Sequence, residues 1–494
     1  MILAIDQGTT STRALVYDPE TFAVHGTAQQ EIEQHYPRDG WVEHEPEDLW
    51  YSTARTVREA LAAARCDPSR VAAVGITNQR ETTLLWDRVS GRPVHRAIVW
   101  QDRRTAEFCR DRAAEQAFLA DRTGLVLDPY FSATKLRWLL DRDPATRAAA
   151  DRGELAFGTV DSFLIHRLTG GASHVTDASN ASRTLLFNIH TMNWDDELLR
   201  WFGVSRAVLP EVKPSAAAFG VTKGLDFLPD GIPIRGVAGD QQAALFGQGC
   251  FSPGEGKCTY GTGAFYLLNT GESPVRSKFK LLTTVAATTD ARPKYALEGA
   301  VFVAGAAVQW LRDGLHLFRA ASEVEELARA SNASEPVIFV PGFVGLGAPH
   351  WVPEARGAIF GLTRATTAAD LARAALEGVA FQVADLLEAA AGDVPASAGK
   401  PLRTDGGMSR NDWFLQFQSN VLGRPVLRAN RSESTALGAA MLAAHSAGLA
   451  DEGKLKSTLG AAREFTPTMA DSDRAGKLAT WRRAVKATIG YQSE

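Results

Sequence analysis

The strongest constraint on the fold of this chain is an apolar run that ends at a carboxylate and leads into a glycine and four hydroxyl side chains. Residues 2–5 form the run, and Asp6-Gln7-Gly8-Thr9-Thr10-Ser11-Thr12-Arg13 follows it. This pattern predicts a buried strand, a tight turn at the glycine and a second strand over residues 13–17. Backbone N–H groups and hydroxyls in such a turn can bind phosphate oxygens, and Asp6 can hold Mg²⁺ through water. Taken alone, the loop fits an ordinary hairpin equally well.

The next 60 residues predict the start of a mixed sheet covered by helices. A third short strand is expected at residues 22–24, and residues 71–76 have the apolar composition of a buried strand. Between them a helix is expected to begin at Pro46, because proline favours the first helical position and acidic residues follow it. The resulting β-β-β-α-β order is typical of a sheet with helices packed on its faces.

The second half of the chain partly repeats this pattern. Residues 234–238 form a largely apolar run that ends in Gly239-Asp240, and residues 257–268 predict two strands joined by Gly261-Thr262-Gly263. A helix is expected over 304–315. At 494 residues the chain exceeds what one hydrophobic core usually serves. We therefore expect an α/β protein with two similar lobes of mixed sheet around a central cleft: residues 1–249 and 250–494, with the boundary near 250.

A third glycine-containing segment lies late in the chain. Thr404-Asp405-Gly406-Gly407-Met408-Ser409-Arg410-Asn411 precedes a predicted helix with Phe414 and Phe417 on its apolar face, and Gly423 is expected to end that helix. Paired glycines would let a nucleobase or ribose lie against the backbone. By itself, however, this segment is more simply a plain loop leading into a helix.

Other phosphate-binding patterns are missing from the sequence. None of the four Gly-Lys pairs, at 256–257, 399–400, 453–454 and 476–477, is followed by Ser or Thr, which excludes a Walker A loop. The H-R-D and D-F-G motifs of protein kinases are also absent. The three loops that remain, in their order, resemble the ribonuclease H-like ATPase core shared by actin, the Hsp70 chaperones and the sugar kinases.

Charge and composition narrow the expected partners and the compartment. The net charge of −4 offers no basic surplus to replace the counterions of nucleic acid. No run approaches the roughly 18 apolar residues that span a bilayer, so we expect no stable membrane association. The amino terminus has no signal-peptide pattern, and the four cysteines show no C-x-x-C spacing. We therefore expect a cytoplasmic protein with free thiols.

Longer segments identify a family. Phe131-Ser132-Ala133-Thr134-Lys135-Leu136-Arg137-Trp138-Leu139 and Gly345-Leu346-Gly347-Ala348-Pro349-His350-Trp351 resemble the two signatures of the FGGY carbohydrate kinases. Within that family the chain resembles the branch that phosphorylates glycerol along nearly its whole length. The segments that carry this second resemblance begin at Gly40, Ile76, Ala181, Gly239 and Leu297, with Ile76-Thr77-Asn78-Gln79-Arg80-Glu81 among the most telling.

The resemblance implies a set of residues that bind glycerol. The positions matching those that hydrogen-bond its hydroxyls are Arg80, Glu81, Tyr130, Asp240 and Gln241, and those matching the apolar wall are Trp100 and Phe265. A buried triol needs both donors and acceptors, which this set supplies, and a tryptophan would leave no room for a longer sugar. Asp240 is expected to act as the general base that accepts the proton of the attacking hydroxyl.

The resemblance also implies where ATP/ADP and Mg²⁺ bind. The first phosphate loop would use Thr9, Thr10, Ser11 and Arg13, and the second would use Thr262. The nucleotide-facing positions of the second lobe would be Gly305, Gln309, Gly407 and Asn411. Mg²⁺ would bridge the phosphates and keep water ligands near Asp6 and Asp240. Because each lobe holds part of the site, we expect the lobes to close on substrate.

Assembly and regulation follow from the resemblance only. Family members form homodimers or homotetramers, and we expect one of these states. Some bacterial members are inhibited by fructose 1,6-bisphosphate at a glycine-rich loop, but the corresponding residues 223–231 lack its glycine cluster. Others are activated by phosphorylation of a histidine, and residues 215–219 contain none. We expect neither control to operate here.

Two other functions fit parts of the same pattern. A kinase of this family that acts on xylulose, ribulose or gluconate would share the phosphate loops and differ around Trp100. A non-catalytic ATP-driven switch would share the ATPase core. Asp240 followed by Gln241-Gln242, together with the lack of any appended peptide-binding domain, favours an enzyme.

Overall fold

The computed structural model describes residues 1–331, 337–430, 433–460 and 462–491. Its strands, in chain order, are β1 (Ile2–Gln7), β2 (Ser11–Tyr17), β3 (Val24–Glu31), β4 (Glu43–His44), β5 (Ala73–Asn78), β6 (Leu84–Asp87), β7 (Ala97–Ile98), β8 (Leu155–Gly158), β9 (Val175–Asp177), β10 (Phe187–Asn188), β11 (Asn193–Trp194), β12 (Glu211–Lys213), β13 (Ala216–Val221), β14 (Pro233–Gly239), β15 (Gly256–Tyr260), β16 (Ala264–Gly271), β17 (Leu282–Val285), β18 (Tyr295–Val301), β19 (Ile338–Val340), β20 (Ala358–Phe360), β21 (Leu402–Asp405), β22 (Val426–Arg428) and β23 (Arg463–Phe465).

The α-helices of the same residues are α1 (Pro46–Ala63), α2 (Ala106–Asp111), α3 (Gln116–Thr123), α4 (Ser132–Asp141), α5 (Pro144–Asp151), α6 (Val160–Leu168), α7 (Ala178–Ala181), α8 (Asp196–Phe202), α9 (Asp240–Gly247), α10 (Gly305–Asp313), α11 (Val324–Ala330), α12 (Ala368–Asp393), α13 (Asp412–Leu422), α14 (Ser434–Ser446), α15 (Glu452–Ser457) and α16 (Asp471–Gly490).

Two large mixed sheets form the centres of the two lobes and share one topology. In the first sheet, ordered β13-β14-β5-β1-β2-β3, strands β1, β2 and β3 form an antiparallel meander, and β5 and β14 continue it in parallel. In the second, ordered β17-β18-β16-β15-β21-β22-β23, strands β15, β16 and β18 form the meander, and β21 and β22 are the parallel strands. The expected α/β fold with two similar lobes is confirmed.

Most predicted elements form where the sequence places them. Helix α1 begins at Pro46, and Gly423 ends α13 in the left-handed conformation at φ 63°. The third strand differs from the prediction, since β3 starts at Val24 and extends to Glu31. Phe22 lies instead in a turn at φ 52°, where its N–H donates to the carbonyl of Asp18 at 2.9 Å.

Helix α14 belongs by sequence to the second half but packs on the first sheet. Its small and apolar residues, including Ala440 and Met441, join one buried cluster with residues of β1 and β2. The helix approaches β5 so closely that a Cβ at Gly75 would lie 2.3 Å from the carbonyl oxygen of Ala439. Only glycine fits at that position. The core of the first lobe is therefore completed by residues 434–446.

The strands β17 and β18 join the second sheet to the first lobe. The Thr283 N–H donates to the carbonyl of Gly124 at 2.9 Å, and the Tyr295 hydroxyl donates to the carbonyl of Ile189 at 2.7 Å. Hydrogen bonds from both strands therefore fix this edge of the second sheet to the first lobe. Within the described residues, every helix is too short or too polar to cross a bilayer.

Candidate active site

The candidate site lies where three parallel strands of the first sheet end together. In register, Asn78 at the end of β5 pairs with Gln7 of β1 and with Gly239 of β14. Carboxyl ends of neighbouring parallel strands meet at one edge of a sheet, which is where ligands bind in open α/β sheets. Asp6, Arg80 and Asp240, which are far apart in sequence, are thereby brought to the same edge.

Asp240 is the first residue of α9, and its carboxylate is held by two donors. Arg80 Nε lies 3.2 Å from Oδ1, and the Gln241 backbone N–H donates to the same oxygen at 2.7 Å. Burial raises the pKa of Asp240 and Arg80 opposes that rise. The side chain is 29% exposed, so the remaining oxygen can reach a bound molecule. Upstream, the Gly239 N–H donates to the Ser179 hydroxyl at 2.9 Å, which fixes the start of the helix.

Asp6 lies near Asp240 at the end of β1 and is only 9% exposed. Burial raises the pKa of Asp6 to about 7, against the lowering effect of Arg13 and with a further rise caused by Asp240. A cation bound next to these two carboxylates would stabilise the ionised form of both. Oxygen ligands of this kind, completed by water and phosphate, suit Mg²⁺.

Four buried charged side chains form a cluster beside Asp240. This charge cluster consists of Arg80, Glu81, Arg183 and Glu298, each with a side chain at most 2% exposed. Glu298 accepts from Arg80 Nη1 at 2.5 Å and Nη2 at 3.0 Å, and from Arg183 Nη2 at 3.0 Å. Arg183 Nε donates to Glu81 at 2.6 Å. Two cations and two anions thus neutralise one another in the interior.

The pKa values of the two carboxylates in the charge cluster are shifted in opposite directions. For Glu298, burial alone would raise the pKa, but Arg183 and Arg80 together lower it to about 2. For Glu81, burial raises the pKa, and Arg183 and Arg80 offset only part of the rise. The difference follows from the geometry, because Glu298 takes three hydrogen bonds from two guanidinium groups and Glu81 takes one.

Sequence reasoning singled out Arg80 and Glu81 but gave no role to Arg183 or Glu298. Glu298 lies on β18, so the charge cluster joins the two lobes. A glutamate in the middle of an otherwise apolar strand, Tyr295–Val301, is a signal that could have found it. Arg183 follows α7 closely, and only the folded chain shows that it reaches Glu81, 102 residues away.

Three aromatic rings line the site next to Arg80. The Trp100 ring centroid lies 5.6 Å from that of Tyr130 and 6.4 Å from that of Phe265. Trp100 Nε1 donates to the Thr9 hydroxyl at 2.9 Å, which orients the indole, and Arg80 Nη2 lies 3.4 Å from the Tyr130 hydroxyl. The predicted polar and apolar residues are therefore brought together as one small, mixed surface.

Tyr130 is held by a buried lysine that the sequence did not reveal as important for the site. Lys135 on α4 is fully buried, and its Nζ donates to the carbonyls of Tyr130 at 2.6 Å and Pro129 at 3.1 Å. Burial lowers the pKa of Lys135 to about 7. The lysine therefore acts on the position of Tyr130 through the backbone.

The first phosphate loop leaves its Thr9, Thr10 and Arg13 side chains at least partly open to solvent and buries that of Ser11. Thr10 is exposed at the turn between β1 and β2, and the Gly8 N–H closes that turn on the Ser11 carbonyl at 2.9 Å. The Ser11 hydroxyl accepts from Gln29 at 3.1 Å, and Arg13 pairs with Glu433 at 2.7 Å. Thr9, Thr10 and Arg13 are therefore the side chains of this loop that a bound molecule can contact.

The second loop is joined to the helix that follows β18. Thr262 is exposed, and its carbonyl accepts from the N–H groups of Ala304 at 2.8 Å and Ala306 at 3.1 Å. The Gly305 N–H donates to the Gly261 carbonyl at 3.0 Å. Gln309, one turn further along α10, is exposed. Thr262, Gly305 and Gln309 thus lie close together on the second lobe.

The third loop begins with a glycine in a conformation that other residues avoid. Gly406 has φ 87°, and a Cβ there would lie 2.4 Å from the Tyr260 carbonyl oxygen. At Gly407 a Cβ would meet nothing within 4 Å. Asn411 caps α13, since its Oδ1 accepts from the Phe414 N–H at 2.8 Å. The structure gives Asn411 a capping role beside any role toward a nucleotide.

Lys257 is a second buried lysine that sequence reasoning passed over. It lies on β15 and is fully buried, and its Nζ donates to the side-chain oxygen of Gln241 and, at 2.8 Å, to the Thr259 hydroxyl. Burial lowers the pKa of Lys257, while Asp405 and Asp240 raise it. Since Gln241 follows Asp240, the lysine connects the second lobe to the start of α9.

Comparison with known proteins gives matches along both halves of the chain. Residues 1–247 match the profile of the FGGY family of carbohydrate kinases, N-terminal domain, and residues 256–447 match that of the C-terminal domain. The chain is 57% identical to a glycerol kinase of Methylobacterium nodulans, over 99% of this chain and 98% of that protein. It is 54% identical to a glycerol kinase of Bradyrhizobium diazoefficiens, again over 99% and 98%.

Solved structures are similar over the same length. The crystal structure of Plasmodium falciparum glycerol kinase with ADP has a TM-score of 0.92 and is 37% identical, covering 99% of this chain and 98% of that one. Gluconate kinase from Lactobacillus acidophilus has a TM-score of 0.88 at 20% identity, over 100% and 98% of the two chains. At that identity, the second similarity concerns the fold alone.

Proposed function

This chain belongs to the FGGY family of carbohydrate kinases, and we propose from that premise that it transfers the γ-phosphoryl group of ATP to glycerol, giving sn-glycerol 3-phosphate and ADP. The observation that carries the proposal is the geometry around Arg80. Its guanidinium is held between Glu298 and Asp240 and lies next to the hydroxyl of Tyr130, whose ring packs against Trp100. Full-length similarity to glycerol kinases supports the same substrate.

The acceptor site fits a small molecule that carries several hydroxyl groups. Arg80 and Tyr130 supply donors, and Glu81 and Asp240 supply acceptors, so each hydroxyl of a triol finds a partner. Trp100 and Phe265 face the carbon atoms. Because the indole is anchored on Thr9, it restricts the length of the molecule that fits. A five-carbon ketose would have to displace that ring.

Asp240 is the general base of the proposed reaction. As the terminal hydroxyl oxygen of glycerol forms its bond to the γ-phosphorus, the hydroxyl proton passes to a carboxylate oxygen of Asp240. The bond from the γ-phosphorus to the bridging oxygen breaks, and its electron pair leaves with ADP. Arg80, at 3.2 Å, orients the carboxylate for this role.

The nucleotide is proposed to lie between the three loops. Thr9, Thr10, Ser11 and Arg13 would face the phosphates from the first lobe, with Thr262 opposite them. Gly305, Gln309, Gly407 and Asn411 would face the nucleoside. Mg²⁺, held through water by Asp6 and Asp240, supplies charge neutralisation of the phosphates when it is bound.

The proposal also covers the boundary between the lobes, the cellular compartment and the oligomeric state. We place the boundary between residues 1–249 and 250–494, with closure of the lobes on substrate excluding water as an acceptor. The four cysteines are free and buried, which supports a reducing cytoplasm. The expected assembly is a homodimer or homotetramer, which sedimentation velocity would measure.

The proposal is tested by measuring ADP release from Mg·ATP with glycerol, dihydroxyacetone, xylulose, ribulose and gluconate. We expect glycerol to be preferred, and Asp240→Asn to lower kcat by at least about 10²-fold, as expected for loss of a general base. The matched control is Asp121→Asn, at a surface carboxylate that is 52% exposed, which should retain full activity. A clear preference for a five- or six-carbon substrate would refute the assignment of the acceptor.

A further inference from the structure

Among the described residues, one N–H donor of the Lys257 ammonium group makes no hydrogen bond. Its ammonium group has three N–H donors, of which two go to the neutral oxygens of Gln241 and Thr259. Among the described residues, no carboxylate oxygen lies within 4.0 Å of Nζ to form an ion pair. The lysine is nevertheless fully buried, a position that charged side chains occupy when they are paired.

Lys257 lies between the second phosphate loop and the start of α9, where the general base Asp240 is located. Along β15, Lys257 and Thr259 share one face of the strand, which continues into Gly261-Thr262-Gly263. On the other side, its partner Gln241 directly follows the general base. The neighbouring strand β21 brings Asp405 opposite Thr259. Nζ therefore lies against the residue that follows Asp240, on the strand that leads to Thr262.

A fixed positive charge at this point would add to the charge neutralisation that Mg²⁺ supplies in the proposed reaction. Asp6, Asp240 and the triphosphate bring several negative charges together, and charge spreads over the γ-phosphoryl oxygens during transfer. The two nearby arginines each already form an ion pair, Arg80 with Glu298 and Arg13 with Glu433, so neither brings an unpaired charge to the phosphates. Among the described residues, Lys257 keeps a free N–H donor, and its ammonium group makes no ion pair within 4.0 Å.

We propose that Lys257 is a catalytic residue that donates its third N–H to an oxygen of the γ-phosphoryl group while that group moves from ADP to the acceptor. This inference rests on the proposed phosphoryl transfer. Asp240 takes the proton and ADP takes the electron pair of the broken bond, so Lys257 keeps its proton throughout. Its contribution is electrostatic, like that of other fixed donors directed at developing charge.

The test replaces the ammonium group by an uncharged side chain of similar length. Lys257→Met should lower kcat by about 10²- to 10³-fold, the range for loss of one donor to a transition state. The KM for glycerol and the Kd for ADP should change less than about threefold, because neither measures contact with the transferred group. If Lys257→Met does not fold, Lys257→Gln carries the same test, since its amide can retain the bond to Thr259.

A transition-state mimic separates catalysis from structural support. With ADP, Mg²⁺ and glycerol, aluminium fluoride should take the place of the γ-phosphoryl group and inhibit the wild-type enzyme strongly. In Lys257→Met this inhibition should be lost while ADP still binds. Lys135→Met is the matched control, because it removes the other buried lysine near the site. It should raise the KM for glycerol through Tyr130 and leave inhibition by aluminium fluoride intact.

The outcomes distinguish this inference from the proposed function. If Lys257→Met keeps kcat within tenfold of wild type, or is still inhibited by aluminium fluoride, the role of Lys257 is refuted and glycerol phosphorylation stands. If wild-type protein prefers another acceptor, the substrate assignment fails, and the same comparison made with that acceptor still decides the role of Lys257.

Discussion

Removing the charge of Glu298 should destabilise the protein, and the loss of stability can be worked out from the lowered pKa of this residue. Glu298 is 1% exposed and accepts three hydrogen bonds from Arg80 and Arg183. Its pKa falls from an ordinary 4.5 to about 2. At 1.36 kcal/mol per pKa unit, this fall corresponds to about 3 kcal/mol of folding free energy. We expect Glu298→Gln to lower the free energy of unfolding at pH 7 by about that amount, in line with the roughly 3–5 kcal/mol for breaking a buried pair.

The pH dependence of this loss has a definite sign. The folded-state pKa of Glu298 is depressed, so its contribution is present above the unfolded-state value of 4.5 and is lost as the pH falls towards 2. The difference between wild type and Glu298→Gln should therefore be constant from pH 7 to about pH 5.5. It should fall to about 2 kcal/mol by pH 3.5.

Urea unfolding followed by tryptophan fluorescence measures this difference at each pH. Glu388→Gln is the matched control, because Glu388 pairs with Arg482 at the surface with both side chains more than half exposed. Such pairs contribute about 0–1 kcal/mol. A loss for Glu298→Gln no larger than that of the control, or one that does not change with pH below 4.5, would refute the reasoning.

Two further substitutions test the substrate wall and the third loop. Trp100→Ala removes the ring against Tyr130 and Phe265, so the ratio of kcat/KM for xylulose to that for glycerol should rise about tenfold or more; an unchanged ratio would contradict the role of the indole. Gly406→Ala places a Cβ 2.4 Å from the Tyr260 carbonyl at φ 87° and should cost about 2 kcal/mol or more in urea unfolding, whereas Gly407→Ala, with open space around it, should not.

Local sequence patterns were sufficient to predict several of the strands that build the two sheets. The apolar run before Asp6 is a fully buried strand and the one before Asp240 is a largely buried one, and composition and length are reliable guides to both. Strand β3 was mispredicted because it lies at the edge of its sheet and is largely polar, with Val24 and His25 exposed. An edge strand with few buried side chains has too few apolar residues to show the alternating pattern from which strands are predicted.

The partners within the site were beyond prediction from local patterns. Arg80 and Glu81 are adjacent in sequence, yet Arg80 Nε is 3.8 Å from Glu81 and each makes shorter ion pairs with a distant residue. Glu298 is 218 residues from Arg80, a separation that only the folded sheet order resolves. In the sequence, Lys257 stands out only as part of a Gly-Lys pair. In the folded protein its ammonium group binds the side chain of Gln241 in the other lobe.

The position of α14 has a consequence for how the chain is made. Residues 434–446 fill the surface over Gly75 and complete the core of a sheet whose strands are all synthesised before residue 240. On the ribosome, one apolar face of that sheet would stay exposed to solvent while about 200 further residues are synthesised. The amino-terminal half is therefore a poor autonomous folding unit.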